Sequence, residues 1–372
     1  MKKGWQTKRL GDVATLQRGF DLPTRDRVAG KFPLVSSSGI SDTHLKCAVR
    51  GPGVVTGRSG SIGNVFFIEE DFWPLNTVLY VKDFHGNDPR FVFHLLKKFD
   101  LLRFAGGAGV PTLNRNFVHD ELVSVPTLPE QQRIVGILDE AFEGIATAKA
   151  NAEKNLQNAR ALFESHLNSV FVQRGKGWMD RTLDQVCIVE RGSSPRPIKN
   201  YFTTKPDGVN WIKISDTEEG GKYVCSTAQK ITPEGAKQSR FVKEGDFILT
   251  NSMSFGRPYI MKTSGYIHDG WFVLRLNISI DTDYFYYLLS SRFVQSQFAQ
   301  LASGSVVKNI SGDLVKKALL PIPPLEHQCV IVKKLLKISA ETQRLSSLYG
   351  RKLDALEALK KSLLHQAFSG EL

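Results

Sequence analysis

From Ile134 to Val170 apolar side chains return at positions 134, 138, 141, 145, 148, 152, 156, 159, 163, 167 and 170, while the remaining faces carry Glu, Gln, Lys, Asn and Arg. The mean spacing of 3.6 residues is the period of a straight α-helix rather than of a strict supercoiled heptad. An offset of 197 residues brings the same rows round again from Ile331, apolar except at Thr342 and Lys360. Pro126 and Pro129 precede the first stretch, and Pro321, Pro323 and Pro324 the second, where proline is tolerated as a helix opens. The pattern predicts two helices of about forty residues, each roughly 60 Å long at 1.5 Å per residue.

A narrow apolar stripe of that length cannot be left in water. Packing along its own segment is one solution, but forty residues would overhang a segment of about 130 to 150. The expectation is that the helices pair through Ile134, Leu138, Ile145, Leu156, Phe163 and Leu167 of the first and Ile331, Leu335, Ile338, Leu345, Leu353, Leu356 and Leu364 of the second. Similar halves favour an antiparallel, pseudo-twofold pair.

The repeat extends beyond the helices. Leu113, Phe117 and Leu122 match Ile310, Leu314 and Leu319 at the same offset of 197. Near the amino end Trp5, Leu10, Val13, Arg18 and Gly19 match Trp178, Leu183, Val186, Arg191 and Gly192 at an offset of 173, so the second half holds 24 additional residues in its middle. The chain reads as a tandem duplication: a globular segment over 1–127, a long helix over 128–173, a second globular segment over 174–322 and a second long helix over 323–372. VVTG, NVFFI and TVLYV read as strands between turn signals, and DFILTNSMSFGRPYIMKTSGYIHDGWFVLRL is their counterpart. PRFVFHLLKKFDLLRFA and TDYFYYLLSSRFVQSQFAQLA read as equivalent helices. The fold class is α+β: two similar mixed α/β segments separated by two long antiparallel helices.

The entrances to the long helices are LPEQQRIVGILDEAF and LEHQCVIVKKLLKIS. Matching Glu130 to Glu326 sets His327 and Cys329 opposite Gln131 and Arg133, so the two entrances are expected to differ.

Composition narrows the function. The 372 residues carry a net charge of +12, and 11 of those 12 excess positive charges lie in the two globular segments. Such a surplus attracts polyanions, nucleic acid first. Hydrophobic content is 41%, no apolar run approaches the length of a membrane span, and the amino end MKKGWQTKRLG has no signal-peptide core, which together predict a cytoplasmic protein without membrane contact. Cys47, Cys187, Cys225 and Cys329 are scattered without a CxxC pair, against both zinc and a disulfide framework.

Catalytic signatures are missing. The chain has no GxxxxGK[ST], no strand-flanked GxGxxG, no Asn/Asp-Pro-Pro-aromatic tetrapeptide, no HExxH and no GxSxG. His44, His85, His94, His119, His166, His268, His327 and His365 are isolated, and His166 beside the helix stripe reads as a packed structural residue. Glu69-Glu70-Asp71 reads as a solvated turn. No catalytic residue and no metal ligand is assigned.

GFDLPTRDRVAGKFPLVSSSGI, GRSGSIGNVFFIEEDFWPLNTVLYV, LPEQQRIVGILDEAF and the closing LLHQAFSGEL resemble the specificity subunit of type I restriction–modification systems. The resemblance covers essentially the whole chain, duplication included. It implies that each globular segment is a target recognition domain and that the helices are conserved spacer regions. It implies a non-catalytic subunit that reads the two halves of an interrupted DNA site. The partners implied are double-stranded DNA, two modification subunits that bind S-adenosylmethionine and methylate adenine, and restriction subunits that use ATP and Mg; this chain itself holds no cofactor. A stand-alone bipartite DNA-binding regulator without enzymatic partners is the alternative.

Base reading needs donors and acceptors at groove edges, with Arg favoured on guanine and Asn or Gln on adenine, while Lys and Arg on phosphate set affinity and register. The loops 56–63 and 250–257 fall at equivalent places in the repeat, with Arg58, Ser59 and Ser61 in one and Asn251, Ser252, Ser254 and Arg257 in the other. Ser36, Ser37 and Ser38 with Arg115 and Asn116, and Ser193, Ser194 and Arg196 with Lys308 and Asn309, complete the candidate DNA-binding set. Half-sites on one face of B-DNA lie about 34 Å apart per helical turn, and a stiff helix pair is expected to set that gap.

Overall fold

The computed structural model describes residues 4–106, 111–218, 220–251, 256–302 and 311–372. It divides into two units, Met1–Lys154 with Tyr349–Leu372, and Asn155–Leu348. The long helices run over Leu128–Val172 and Leu325–Ser369, 45 residues each. They start six residues ahead of the apolar stripe, directly after the proline-containing strand exits, and each contributes residues to both units.

In the first unit the chain opens with a strand, Gln6–Arg9, paired antiparallel with Leu122–Val125, the strand that leads into the long helix. An antiparallel sheet orders the strands Thr15–Arg18, Val78–Asp83, Gly53–Gly57 and Val65–Ile68. A smaller sheet orders Gly39–His44, Phe32–Ser36 and Trp73–Pro74. The helix Pro89–Lys98 is capped by Asp88, whose carboxylate accepts from the Phe91 amide. Leu10, Val13, Leu79, Phe91, Val92 and Val118 form the core with Ile134 and Leu138 of the first long helix and Ala367 and Phe368 of the second.

The helix pair is antiparallel here. Arg133 donates to the Leu372 carbonyl (2.7 Å), Lys360 lies over the Phe142 ring, and Lys149 pairs with Glu357 (2.8 Å), so numbers rise along one helix as they fall along the other. Of the stripe residues in this unit, Ile134, Leu138 and Ile145 are buried, while Leu353, Leu356 and Leu364 are half-buried.

The second unit repeats the plan. Met179–Thr182 pairs with Leu319–Ile322, and a five-stranded sheet orders Cys187–Arg191, Trp271–Leu276, Phe247–Thr250, Pro258–Met261 and Tyr223–Val224. Its core joins Leu183, Val186, Phe272, Leu274, Tyr284, Phe285 and Val315 to Leu167, Phe171 and Leu335 of the long helices, with Phe163 and Ile331 packed against them. Leu156, Ile338 and Leu345 are half-buried.

Side-by-side registers show where the extra residues went. Leu10 and Val13 match Leu183 and Val186 at 173; Leu79, Phe91 and Val92 match Phe272, Tyr284 and Phe285 at 193; Val118 and Leu138 match Val315 and Leu335 at 197. The 24 additional residues are therefore split. Twenty enter between Gly192 and Thr250, where they supply part of a second five-stranded sheet (Phe202–Thr203, Gln229–Ile231, Val209–Ile212, Gly265–Ile267 and Arg240–Val242), and four enter ahead of the short helix Gly312–Val315. Gly19 and Gly192 both end the strand that begins the sheet. A Cβ there would stand 2.2 Å from the Leu75 carbonyl oxygen and 2.0 Å from that of His268, so no other residue fits.

Three expectations need correction. The entrance register is off by one, because Gln328, not His327, does what Gln131 does. The buried Gln131 carboxamide accepts from the Asp88 amide (2.9 Å) and donates to the Pro126 carbonyl (3.0 Å); that of Gln328 accepts from Asp281 (2.8 Å) and donates to Pro323 (2.9 Å). Glu130 and Glu326 share a residue type but face solvent to different extents, and the buried amides set the true match. Second, the helices read over 89–105 and 282–302 are each broken. Asp100 caps a separate 3-10 turn, Leu101–Phe104, and the fully buried Ser291 divides Thr282–Ser290 from Arg292–Ala302. Third, the acidic run 69–71 is engaged rather than merely solvated, since Glu69 pairs with Arg90 and Asp71 accepts from the Gly51 amide (3.0 Å).

Candidate nucleic-acid interface

In the first unit the strand Gly53–Gly57 is buried along its whole length and releases the chain at Arg58. The Arg58 amide donates to the Thr77 carbonyl (2.9 Å) and its own carbonyl accepts from the Leu113 amide (2.7 Å), so the residue is mounted from both sides. Ser59 bridges to Thr112. Beside it the Leu101–Phe104 turn presents Arg103, and the short helix Arg115–His119, capped by Asn114, presents Arg115 and Asn116.

These segments enclose a cleft of 590 Å³ lined by Arg18, Arg58, Arg103, Arg115, Asn114 and Asn116 together with Thr112 and Phe117. Two of its arginines are compensated: Arg18 pairs with Asp21 (3.0 Å), and Arg103 pairs with Glu121 (2.8 Å) while lying 4.5 Å from the Phe104 ring centroid. Among the described residues Arg58 and Arg115 have no carboxylate within ion-pair distance. His119 behind the cleft accepts the Leu16 amide at Nε2 (2.8 Å). Burial, then the Arg115 charge, push it below the usual imidazole range against the pull of Asp120, so it stays neutral. The positive charge of the cleft is arginine charge.

Arg58, Arg115 and Asn116 thus come together as expected residues of one surface, with Ser59 at its edge. Ser36, Ser37 and Ser38 form the neighbouring hairpin turn. The Ser36 hydroxyl is already committed, donating to the Gly39 carbonyl (3.1 Å) and lying 2.9 Å from Ser38 Oγ. Ser37 abuts the 57–60 loop, and Ser61 curls back over Gly57. Arg18, Arg103, Asn114 and Phe117 were not picked out from the sequence. The duplication marked Arg18, which is matched by Arg191, and Phe117, which is matched by Leu314, but only as repeat positions, and it held no signal for Arg103 or Asn114.

The second unit places its candidates around one acidic turn. The Ser194 hydroxyl donates to Asp269 (2.8 Å), Arg196 stands 3.8 Å from the same carboxylate, and Ser193 donates to the Gln238 carbonyl (2.9 Å). Burial raises the Asp269 pKa, but the hydrogen bonds from Ser194 and its own backbone, with His268 and Arg196 nearby, outweigh it and hold the carboxyl below the usual range. Asn251 is not on the surface. It is 1% exposed, its amide nitrogen donates to the Gly270 carbonyl (2.8 Å), and its side chain reaches the Asp269 carbonyl (3.4 Å), so it braces the turn instead of facing a ligand. Arg257 is half-buried and its amide donates to the Thr250 hydroxyl (2.9 Å). Ser252, Ser254, Lys308 and Asn309 lie outside the described residues. Beside the turn a pocket of 530 Å³ is lined by Trp211, Ile198, Ile214 and Phe202 together with Lys213, His268 and Asp269.

Among the described residues no group of three or more His, Cys, Asp or Glu side chains is placed to hold a metal ion, and no helix is long and apolar enough to cross a membrane.

Comparison with known proteins agrees along the chain. A family model, the type I restriction modification DNA specificity domain, matches residues 2–157 and again residues 175–348. A putative type I restriction enzyme specificity subunit of Haemophilus influenzae is 23% identical over 91% of this chain and 89% of its own. The MjaVIII specificity subunit of Methanocaldococcus jannaschii is 21% identical over 99% and 93%. Among solved structures, a chain of a type I R-M system superposes with a TM-score of 0.83 at 20% identity, covering 100% of this chain and 99% of that one. The HsdS subunit from Thermoanaerobacter tengcongensis gives 0.64 at 21% identity, covering 100% and 98%. These structural likenesses show the fold, and specificity subunits of this kind are non-catalytic. On the doubled match of the family model to a doubled architecture, the chain belongs to the type I restriction–modification specificity-subunit family.

Proposed function

We propose that this chain reads an interrupted, two-part site in double-stranded DNA, one part through each unit, and thereby directs adenine methylation by two modification subunits and cleavage by restriction subunits. One observation carries the reading: a duplicated framework with unlike tips. Arg58 and Asn251 stand at the same strand exit, their amides donating to the carbonyls of Thr77 and Gly270, which match at the same offset of 193. Yet one offers a guanidinium to a cleft and the other an inward amide. Heads of one design and different surface chemistry suit an asymmetric site. The cleft's arginines supply charge for phosphate and a donor fork for base edges.

On this reading S-adenosylmethionine belongs to the modification subunits and ATP with Mg to the restriction subunits, and this chain contributes selection alone. The test is to sequence N6-methyladenine in cells carrying the chain with its neighbouring methyltransferase, and in cells lacking either. A bipartite motif of fixed gap that requires both proteins is expected. A single uninterrupted motif, or methylation indifferent to this chain, would overturn the proposal. Tight binding of the chain alone to one bipartite duplex, with no methylation under any co-expression, would mark a stand-alone regulator instead.

A further inference from the structure

We infer that Arg58 is the guanine-reading side chain of the first unit, so that the half-site read by that unit contains a guanine whose selection depends on this one residue. The inference rests on the DNA-reading role proposed above and narrows it to a base and an atom set.

The mounting comes first. A side chain that selects a base must be rooted in rigid backbone. Arg58 follows a fully buried strand, and both of its backbone polar groups are tied, to Thr77 and to Leu113. The state of the guanidinium comes second. Arg58 is half-buried in the wall of the cleft, yet among the described residues its side chain has no hydrogen-bond or ion-pair partner. Arg18 and Arg103 in the same cleft are each neutralised by a carboxylate. A partly desolvated cation without a partner is costly, and the cost is relieved when an acceptor enters from outside. The guanine edge in the major groove offers O6 and N7, two acceptors spaced for the two donors of one guanidinium, whereas adenine offers an acceptor beside a donor.

Arg115 is also unpaired among the described residues but exposed, on the first turn of a short helix. A long, water-exposed arginine suits a phosphate and carries no base information. The duplicate position argues the same way. Asn251 occupies the equivalent strand exit in the second unit and is buried against its own turn, so guanine selection through this position belongs to one half-site only.

The experiment maps methylated adenines genome-wide for the full chain assembled with its modification partner, comparing wild type with R58A, R58K and R115A. R58A is expected to reduce the preference for guanine at one position of one half-site by about tenfold to a hundredfold, the worth of one bidentate pair. The other half-site and the gap should stay as in wild type, which also certifies that the variant folds. R58K keeps the charge without the fork and should show a smaller loss at the same position. R115A should lower modification at all sites evenly. If R58A and R58K leave every base preference intact, dim all sites evenly, or relax a base other than guanine, the inference is overturned while DNA reading stands. If wild type itself marks no sequence-specific motif, the underlying role falls instead. Should R58A fail to assemble, R58K alone decides, because an undiminished guanine preference in it overturns the assignment.

Discussion

Replacing Gln131 tests how each unit is joined to its long helix. The side chain is 2% exposed and makes three hydrogen bonds: from the Asp88 amide (2.9 Å), to Asn87 Oδ1 (2.8 Å) and to the Pro126 carbonyl (3.0 Å). It therefore ties the first turn of the long helix to the cap of Pro89–Lys98 and to the strand exit at once. Gln131→Met keeps the volume and removes all three bonds. Pro126 is buried, so its stranded carbonyl costs about 1–3 kcal/mol, while half-buried Asn87 and Asp88 recover part of theirs from water. The sum comes to about 3 kcal/mol, a fall of about 6–12 °C in the unfolding midpoint for a unit of this size. Gln328→Met loses two bonds, to Asp281 and Pro323, and should cost about 2 kcal/mol. Hydrogen exchange read peptide by peptide separates the two effects. Gln131→Met should speed exchange across 86–98 and spare 279–290, and Gln328→Met should do the reverse. If Gln131→Met leaves exchange across 86–98 unchanged and shifts stability by less than about 0.5 kcal/mol, below the scale of one net hydrogen bond, the buried amides are not the joint and apolar packing alone holds it.

Gly19→Ala and Gly192→Ala should each cost several kcal/mol, about 3 or more, because their Cβ atoms would meet backbone carbonyls. Gly144→Ala, on an open helical face, should gain about 0.5–1 kcal/mol; thermal unfolding of the three variants checks both signs. Burial holds the His94 pKa down against its bond to Asp139, so the folded state keeps it neutral while the unfolded chain protonates it near pH 6.5. Its contribution is present above that pH and is lost as pH falls below it toward the lowered folded value, so urea midpoints should drop from pH 7.5 to 5.5 and His94→Gln should flatten part of that slope. Burial pushes the Cys187 thiol up to about 12, so maleimide at pH 7.5 should label exposed Cys225 and Cys329 and leave Cys187 unmodified until the protein unfolds.

Much of this architecture is legible in the spacing of apolar residues, because one period and one offset constrain many positions together. None of the stripe residues from Ile134 to Val170 is exposed, and the strands read at VVTG, NVFFI and TVLYV are present. The entrance register slipped by one because a shared glutamate is visible in the letters, whereas the hydrogen bonds that bury Gln131 and Gln328 are not. The helix read over 89–105 stopped at Lys98 for a local reason, the Asp100 cap, which an amphipathic pattern hides. The cleft was legible only in part. Arg58 follows a strand exit and Arg115 and Asn116 open a short helix, at places next to matched repeat positions, but Arg103 lies in a run that looks like core helix, and only the fold brings it beside Arg18. Asn251 shows the opposite failure, since a polar residue in a loop carries no mark of whether it faces water or braces the backbone.

Lengthening the long helices asks whether they measure DNA. Each passes from one unit to the other without a break, the first after Lys154 and the second after Leu348. Seven residues added at both points extend each helix by about 10 Å and turn it by nearly two full turns, which keeps the apolar stripe in phase; four residues would rotate it by about 40°. Adding to one helix alone slides its stripe past its partner's, so matched insertions are required. At about 3.4 Å per base pair, the gap between methylated half-sites should grow by about three base pairs, with both half-site sequences unchanged. Methylation mapping reads the gap directly. A longer pair that still selects the original gap would mean that the heads are positioned by the modification subunits rather than by the helices, and the apolar stripe would then be explained by stability alone.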